Sequence, residues 1–423
     1  MKQGEQQGRR SRLRGVPRTV LALGMVSFFT DVSSESVVAV LPLYVTAVLG
    51  MSPLAYGFLD GVYQGVSAVV RVLGGWWADR THRSKEVALL GYGVSALSRF
   101  LLLPATGFAA ITGTVALDRL GKGLRTGPRD SMIAASSQER DLGRNFGVHR
   151  TLDTAGALVG PLAAFGILSA IPLGLGGFHS VFVLSAAAAV VGVAVLLLVV
   201  PGRARTAAAT SDESAPSTVE AVRRTAPRMR WRDLTDRRLR RLLLAAGVLG
   251  LLTVGDGFLY LVLASSGTVG ARWFPLLMVG TNAAYLALAV PFGRLADRVG
   301  RPRVFLGGHL FLVAAYVVTA LQHGAAWEVA GVLLLLGAFY AATDGVLAAI
   351  ASRLVPEASR ASGIAAAQTV VALARFGSSV GFGLLWTLTG RSTAMVVVAV
   401  ALAVAIPFAA GLLQLRRPAG ARS

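Results

Sequence analysis

A short pattern is written twice in this chain, each time at the end of an apolar run. Gly75, Asp79, Arg80 and Arg83 stand in Gly-Trp-Trp-Ala-Asp-Arg-Thr-His-Arg, and Gly293, Asp297, Arg298 and Arg301 in Gly-Arg-Leu-Ala-Asp-Arg-Val-Gly-Arg. The copies lie 218 residues apart (293 − 75 and 297 − 79) in a chain of 423. Arg144 with Gly147 recurs as Arg360 with Gly363, at an offset of 216 (360 − 144). Two landmarks repeating at almost one period, about half the length, imply a duplicated architecture, with parallel repeats about an axis normal to the membrane if the apolar runs cross one.

They are apolar enough to do so. Hydrophobic residues make up 54% of the chain and charged residues 15%, with a mean hydropathy of +0.63, outside the range of soluble globular chains. Crossing the hydrocarbon core takes about 20 residues. Runs of that order are expected at 19–49, 53–77, 87–106, 108–127, 146–172 and 178–200, then at 241–264, 273–293, 303–321, 327–351, 361–386 and 392–415. The expected fold is therefore all-α and integral to the membrane, with twelve transmembrane helices in two pseudo-symmetric bundles of six. The bundles occupy 19–200 and 241–415. A basic tail (1–18), a polar, proline-containing linker (201–240) and a second tail (416–423) flank them.

The formal charge of +20 is distributed as a topology signal. Bases concentrate in the two termini, the linker and alternate loops, whereas the opposite loops hold only Arg272 and Arg391. The positive-inside rule then places both termini in the cytoplasm, in a cell inner membrane, and the basic loops beside anionic lipid rather than nucleic acid. The basic-then-apolar N-terminus is read as a first span, since its apolar run is about twice the length of a signal-peptide core. There are no cysteines, so neither a disulfide nor a thiolate site is available.

Charged residues inside the spans are the candidate functional groups, because a charge at the bilayer centre costs about 3 kcal/mol or more unless it faces a cavity or a partner. The first span carries Asp31 and, one turn on, Glu35. The fourth carries Asp118, Arg119 and Lys122, with Arg125 and Arg129 continuing one helical face, a spacing that allows an Asp118–Lys122 ion pair. Asp256 and Asp344 are candidates in the second half for a cavity facing Asp31, and Arg99, Asn282 and Arg375 are further polar residues within spans. Burial disfavours the ionised form of a carboxyl and a nearby arginine favours it. Such groups suit proton coupling, though fixed helix-to-helix ion pairs are an equally physical use of them.

With these residues quoted, the chain resembles the major facilitator superfamily over residues 19–415. The Gly75 to Lys85 loop is similar to that family's signature between its second and third helices, and Gly293 to Arg303 to its echo between the eighth and ninth. The resemblance implies a cytoplasmic latch, with glycines allowing close helix approach and Asp79 and Asp297 accepting hydrogen bonds from arginines. Asp118-Arg119-Leu-Gly-Lys122-Gly123 is similar to the family's Arg-x-x-Gln-Gly element, with lysine in place of glutamine. Gly156-Ala-Leu-Val-Gly160-Pro161-Leu-Ala-Ala164 resembles an element of the family's antiporters, alanine replacing its last glycine; small residues and a proline also serve plain helix packing and bending. Together with Thr30 to Glu35, the fourth-span sequence through Asp130 resembles a bacterial branch of permeases and efflux carriers.

The function this implies is secondary active transport by alternating access: proton-coupled export of a small organic solute by a monomer without cofactors. The alternatives are uptake of a polar metabolite, export of a divalent metal through the oxygen ligands of Asp31, Glu35 and Asp60, and a receptor-like relative that moves nothing. An enzyme is not expected. Gly121-Lys122-Gly123 lacks the remainder of a phosphate-binding loop, and the five histidines form no i, i+4 pair that would suggest a metal site.

Overall fold

The computed structural model describes residues 15–200 and 236–413, except 82, 173, 268 and 357–359; at 68, 69, 71–81 and 360–362 it describes the backbone alone. Every regular element among these residues is helical, as lipid requires, because a helix satisfies its backbone hydrogen bonds within one segment. In the first half α1 is Arg18–Val38, α2 Pro53–Thr81, α3 Ser84–Leu102, α4 Phe108–Ala135, α5 Leu142–Ala170 and α6 Leu175–Leu198. In the second, α7 is Arg237–Leu251, α8 Asp256–Ser265, α9 Phe274–Val299, α10 Arg301–Ala320, α11 Ala326–Ala351, α12 Arg360–Thr389 and α13 Arg391–Leu412.

Turn chemistry sets these bounds. Gly300 (φ 105°) separates α9 from α10 and Gly390 (φ 83°) separates α12 from α13, a backbone region costly for residues with a Cβ. Asp236 caps α7, its Oδ1 accepting from the N–H groups of Arg238 (2.7 Å) and Leu239 (3.1 Å), which begins the helix slightly before the expected residue 241.

Nine helical stretches among the described residues are long and apolar enough to cross a membrane: 18–48, 139–170, 175–198, 237–265, 271–299, 301–320, 326–351, 363–389 and 391–412. The expected spans at 53–77, 87–106 and 108–127 fall on α2, α3 and α4 but are not among these nine. The side chains of α2 are described only in part, and α3 and α4 carry the charged residues of the site below. The expected twelve crossings are thus matched by nine.

Two compact units divide the chain: residues 1–39 with 69–223, and residues 40–68 with 224–423. Inside the second unit, glycines bring the first turns of α2 against α12. A Cβ at Gly57 would collide with the Ser379 carbonyl, one at Gly383 would lie 2.6 Å from the Pro53 carbonyl, and one at Gly61 3.1 Å from Phe376.

The duplication survives in the packing. In the first unit α1 packs on α5 and α6, α3 on α4, and α3 on α6. In the second, α7 packs on α12 and α13, α10 on α11, and α10 on α13. Those are the same pairings shifted by one repeat, with α7 and α8 together standing where α1 stands.

Candidate functional site

Each unit holds a polar group within its apolar helices. In the first unit, α1 and α4 run antiparallel and their polar residues meet rung by rung. Glu35 faces Lys122 (Oε1 to Nζ, 3.8 Å), Asp31 faces Arg125 (Oδ1 to Nη2, 4.0 Å), and Ser27 accepts from Arg129 (Nη1 to Oγ, 3.3 Å). Steps of four residues down α1 are matched by three or four along α4, as the common helical rise demands.

The rungs differ in tightness. Asp118 is gripped twice, by Arg99 from α3 (2.6 Å to Oδ1) and by its neighbour Arg119, whose Nε donates to Oδ2 at 3.0 Å. Arg99 Nη2 also donates to Ser34 (3.2 Å). All three charged side chains are almost fully buried. By contrast the Lys122 side chain is 31% exposed and its contact with Glu35 is long. The expected Asp118–Lys122 pair is therefore not the one formed: Asp118 pairs with Arg99 and Arg119, and Lys122 stands 3.8 Å from Glu35. Arg125 additionally lies over the Tyr92 ring, 4.6 Å from its centroid.

The glycines of α5 bring that helix onto α1. A Cβ at Gly156 would collide with the Phe28 carbonyl, and one at Gly160 would lie 2.8 Å from the Val32 carbonyl and 2.9 Å from the Ser36 nitrogen. The helix runs on through Pro161. Close packing is thus what these residues accomplish in the structure. The seam also delivers two residues that the sequence argument did not select: Asp153, 3.6 Å from Arg129 and from Arg150, and His149, whose Nε2 hydrogen-bonds Ser27 Oγ at 3.0 Å. Asp153 sits three residues before Gly156 and seven before Gly160, on one helical face, and that periodicity was the available signal.

In the second unit Asp256 begins α8 and accepts from the Tyr340 hydroxyl (2.8 Å). Between α7 and α8 the helix is interrupted, and the buried Tyr316 repairs the break: its hydroxyl accepts from the Val254 N–H (2.7 Å) and donates to the Leu252 carbonyl (3.1 Å). Arg375 lies 5.7 Å from the Tyr340 ring centroid and within electrostatic range of Asp256 and Asp344. Asp344 is exposed in the structure. Asp60 accepts from Ser379 (2.5 Å), so this carboxylate, considered above as a metal ligand, has an internal partner.

Of the duplicated loop, the second copy is visible in full. Asp297 accepts from Arg301 (3.0 Å), whose other nitrogen donates to the Ala349 carbonyl at the end of α11 (3.3 Å), while Arg298 is exposed. Gly293 does not serve close approach as expected, since a Cβ there would meet nothing within 4 Å. In the first copy Gly75, Asp79 and Arg80 lie on α2, their side chains outside the described residues, and Arg83 is exposed.

Comparison with known proteins places this geometry. The family model described as Major Facilitator Superfamily matches residues 23–274 and 263–423. An uncharacterised MFS-type transporter of Methanocaldococcus jannaschii is 28% identical over 391 residues, 90% of this chain and 91% of that protein. The crystal structure of the nucleoside transporter NupG superposes with a TM-score of 0.74 at 14% identity, covering 94% of this chain and all of that one. A POT family transporter in complex with 5-aminolevulinic acid gives 0.71 at 15% identity, over 93% and 95%.

Proposed function

The chain belongs to the Major Facilitator Superfamily and is a multi-pass membrane transporter, and we propose on that premise that it is a proton-coupled exporter of a small organic solute. The observation that carries the coupling is the unequal pairing along α1 and α4. Asp118 stands against two buried guanidinium groups, those of Arg99 and Arg119, as a structural lock would. Asp31 and Glu35 meet their bases only at 4.0 and 3.8 Å. A carboxylate held loosely inside an apolar helix can change its proton occupancy and its partner at modest cost; one held by two guanidinium groups cannot.

Protonating Asp31 or Glu35 weakens its hold on α4, and losing the proton restores it. Occupancy thereby biases one arrangement of the helices over another, and a substrate that prefers one arrangement is driven by the gradient. Export is favoured by the resemblance of the Gly156 to Pro161 segment to antiporters. The charge distribution supports both termini and the linker facing the cytoplasm, with Asp297 and Arg301 on that face as part of a gate whose contacts break and reform. The protein works as a monomer surrounded by lipid.

The test begins with a thermal-shift screen of small organic solutes on the purified protein. Flux of the selected solute is then followed in proteoliposomes with and without an imposed pH gradient. Flux that follows the gradient in the wild type and loses that dependence in Asp31→Asn supports the reading. Flux indifferent to pH removes proton coupling, and Asp31→Asn with unchanged coupling removes Asp31 from it.

A further inference from the structure

The start of α7 concentrates positive charge. Arg237, Arg238, Arg240 and Arg241 surround Leu239, and the first three are exposed. Asp236, the acid that precedes them, is engaged as the helix cap by the N–H groups of Arg238 and Leu239. Among the described residues the ion-pair contacts of the second unit are Asp297 with Arg301 and Glu328 with His323, so neither involves these arginines.

Arg240 is also the polar end of an otherwise apolar groove of about 500 Å³ between α7 and α12. Leu244, Gly247 and Leu251 follow Arg240 at steps of four, three and four, which puts them on one helical face, and they line the groove with Val370 of α12. Gly247 sets its floor: a Cβ there would lie 3.2 Å from Val370 Cγ1. Leu244 and Leu251 are 56% and 52% exposed, and in a membrane span that exposure is to hydrocarbon, which admits an acyl chain and disfavours unpaired polar groups. Arg240 and Leu251 are 11 residues apart (251 − 240), about 16 Å along the helix. That is close to half of the roughly 30 Å hydrocarbon core, the depth of one leaflet.

We propose that the α7–α12 groove binds one anionic phospholipid of the cytoplasmic leaflet, an acyl chain lying along Leu244, Gly247 and Leu251 and the phosphate meeting Arg240 and its neighbouring arginines. The leaflet follows from the charge distribution, which assigns the start of α7 to the cytoplasmic face. Charge complementarity selects a head group of net negative charge, because the ammonium of a zwitterionic lipid brings a second positive charge against the guanidinium groups. The deep end of the groove, at Leu251, lies one residue before the α7–α8 interruption that Tyr316 spans, so a bound chain packs against the helix up to that break. The inference stands apart from proton coupling and survives its failure.

Native mass spectrometry of the full-length protein tests it, with titrations of phosphatidylglycerol and of phosphatidylethanolamine bearing the same acyl chains. The wild-type monomer is expected to retain one phosphatidylglycerol in preference to the ethanolamine lipid. Arg240→Gln is expected to weaken that binding about fivefold, the loss of one base near a membrane surface. Arg353→Gln removes an equal charge at an exposed position just past the end of α11, outside the groove, and is expected to leave the binding unchanged. Leu244→Trp fills the groove without altering charge and is expected to weaken it as well. All three substitutions fall at exposed positions, so the variants are expected to melt with the wild type when lipid-free. Equal retention of the two lipids overturns the site. So do equal losses in Arg240→Gln and Arg353→Gln, the mark of surface charge without a groove, and full retention in Leu244→Trp. A lipid-free dimer that Leu244→Trp splits into monomers also overturns it, since the groove would then hold a second copy of the chain.

Discussion

At the residue scale, Asp118 and Glu35 are two carboxylates held unequally inside apolar helices, the first against two buried guanidinium groups and the second 3.8 Å from a part-exposed lysine. Removing the charge of Asp118 leaves Arg99 and Arg119 buried against a neutral group. Asp118→Asn is therefore expected to lower stability by about 3–5 kcal/mol, the usual cost of breaking one side of a buried pair. Glu35→Gln strands only a part-exposed lysine, so a loss under about 1 kcal/mol is expected. Thermal unfolding of the two purified variants checks the order, and an equal loss would remove the distinction between lock and coupling group. The charged face of α4 was legible in the sequence, since its spacing is local. Its partners were not, because Arg99, Glu35 and Asp153 come from three other helices and nothing in their local pattern says which charged group each meets. Asp153 in particular lies just ahead of the Gly156 to Pro161 segment, whose antiporter-like pattern and small residues stand out instead.

At the scale of elements, the helix seams are set by where a Cβ is missing. Gly156→Ala places a methyl group against the Phe28 carbonyl, and the helices must part; overpacking of this kind costs about 1–3 kcal/mol. Gly166→Ala, at a position on the same helix with nothing within 4 Å, is the matched control and is expected to change stability by less than about 0.5 kcal/mol. Melting curves of the pair distinguish a packing role from a mere preference for small residues. The α7–α8 interruption makes a second case. Tyr316→Phe removes the only change of chemistry at that site, the hydroxyl that accepts from Val254, and leaving a buried N–H unpaired costs about 1–3 kcal/mol. A variant as stable as the wild type would show that the break is held by something else. The sequence suggested one continuous span at 241–264 because residues 252–255 are apolar or small; a break held by a distant tyrosine leaves no local mark.

At the scale of the molecule, the duplicated loop announced two related halves, and the helix pairings repeat accordingly. The close approach of α2 and α12 was not legible, since it depends on glycine contacts that join residues 53–61 to 376–383. Family membership accounts for the architecture, while the proposed coupling rests on particular carboxylates. The most direct measurement is solute flux driven by a pH gradient in proteoliposomes, comparing the wild type with Asp31→Asn. The account predicts gradient-dependent flux in the first and loss of that dependence in the second, with the variant still folded in the membrane. Identical dependence in both would contradict it.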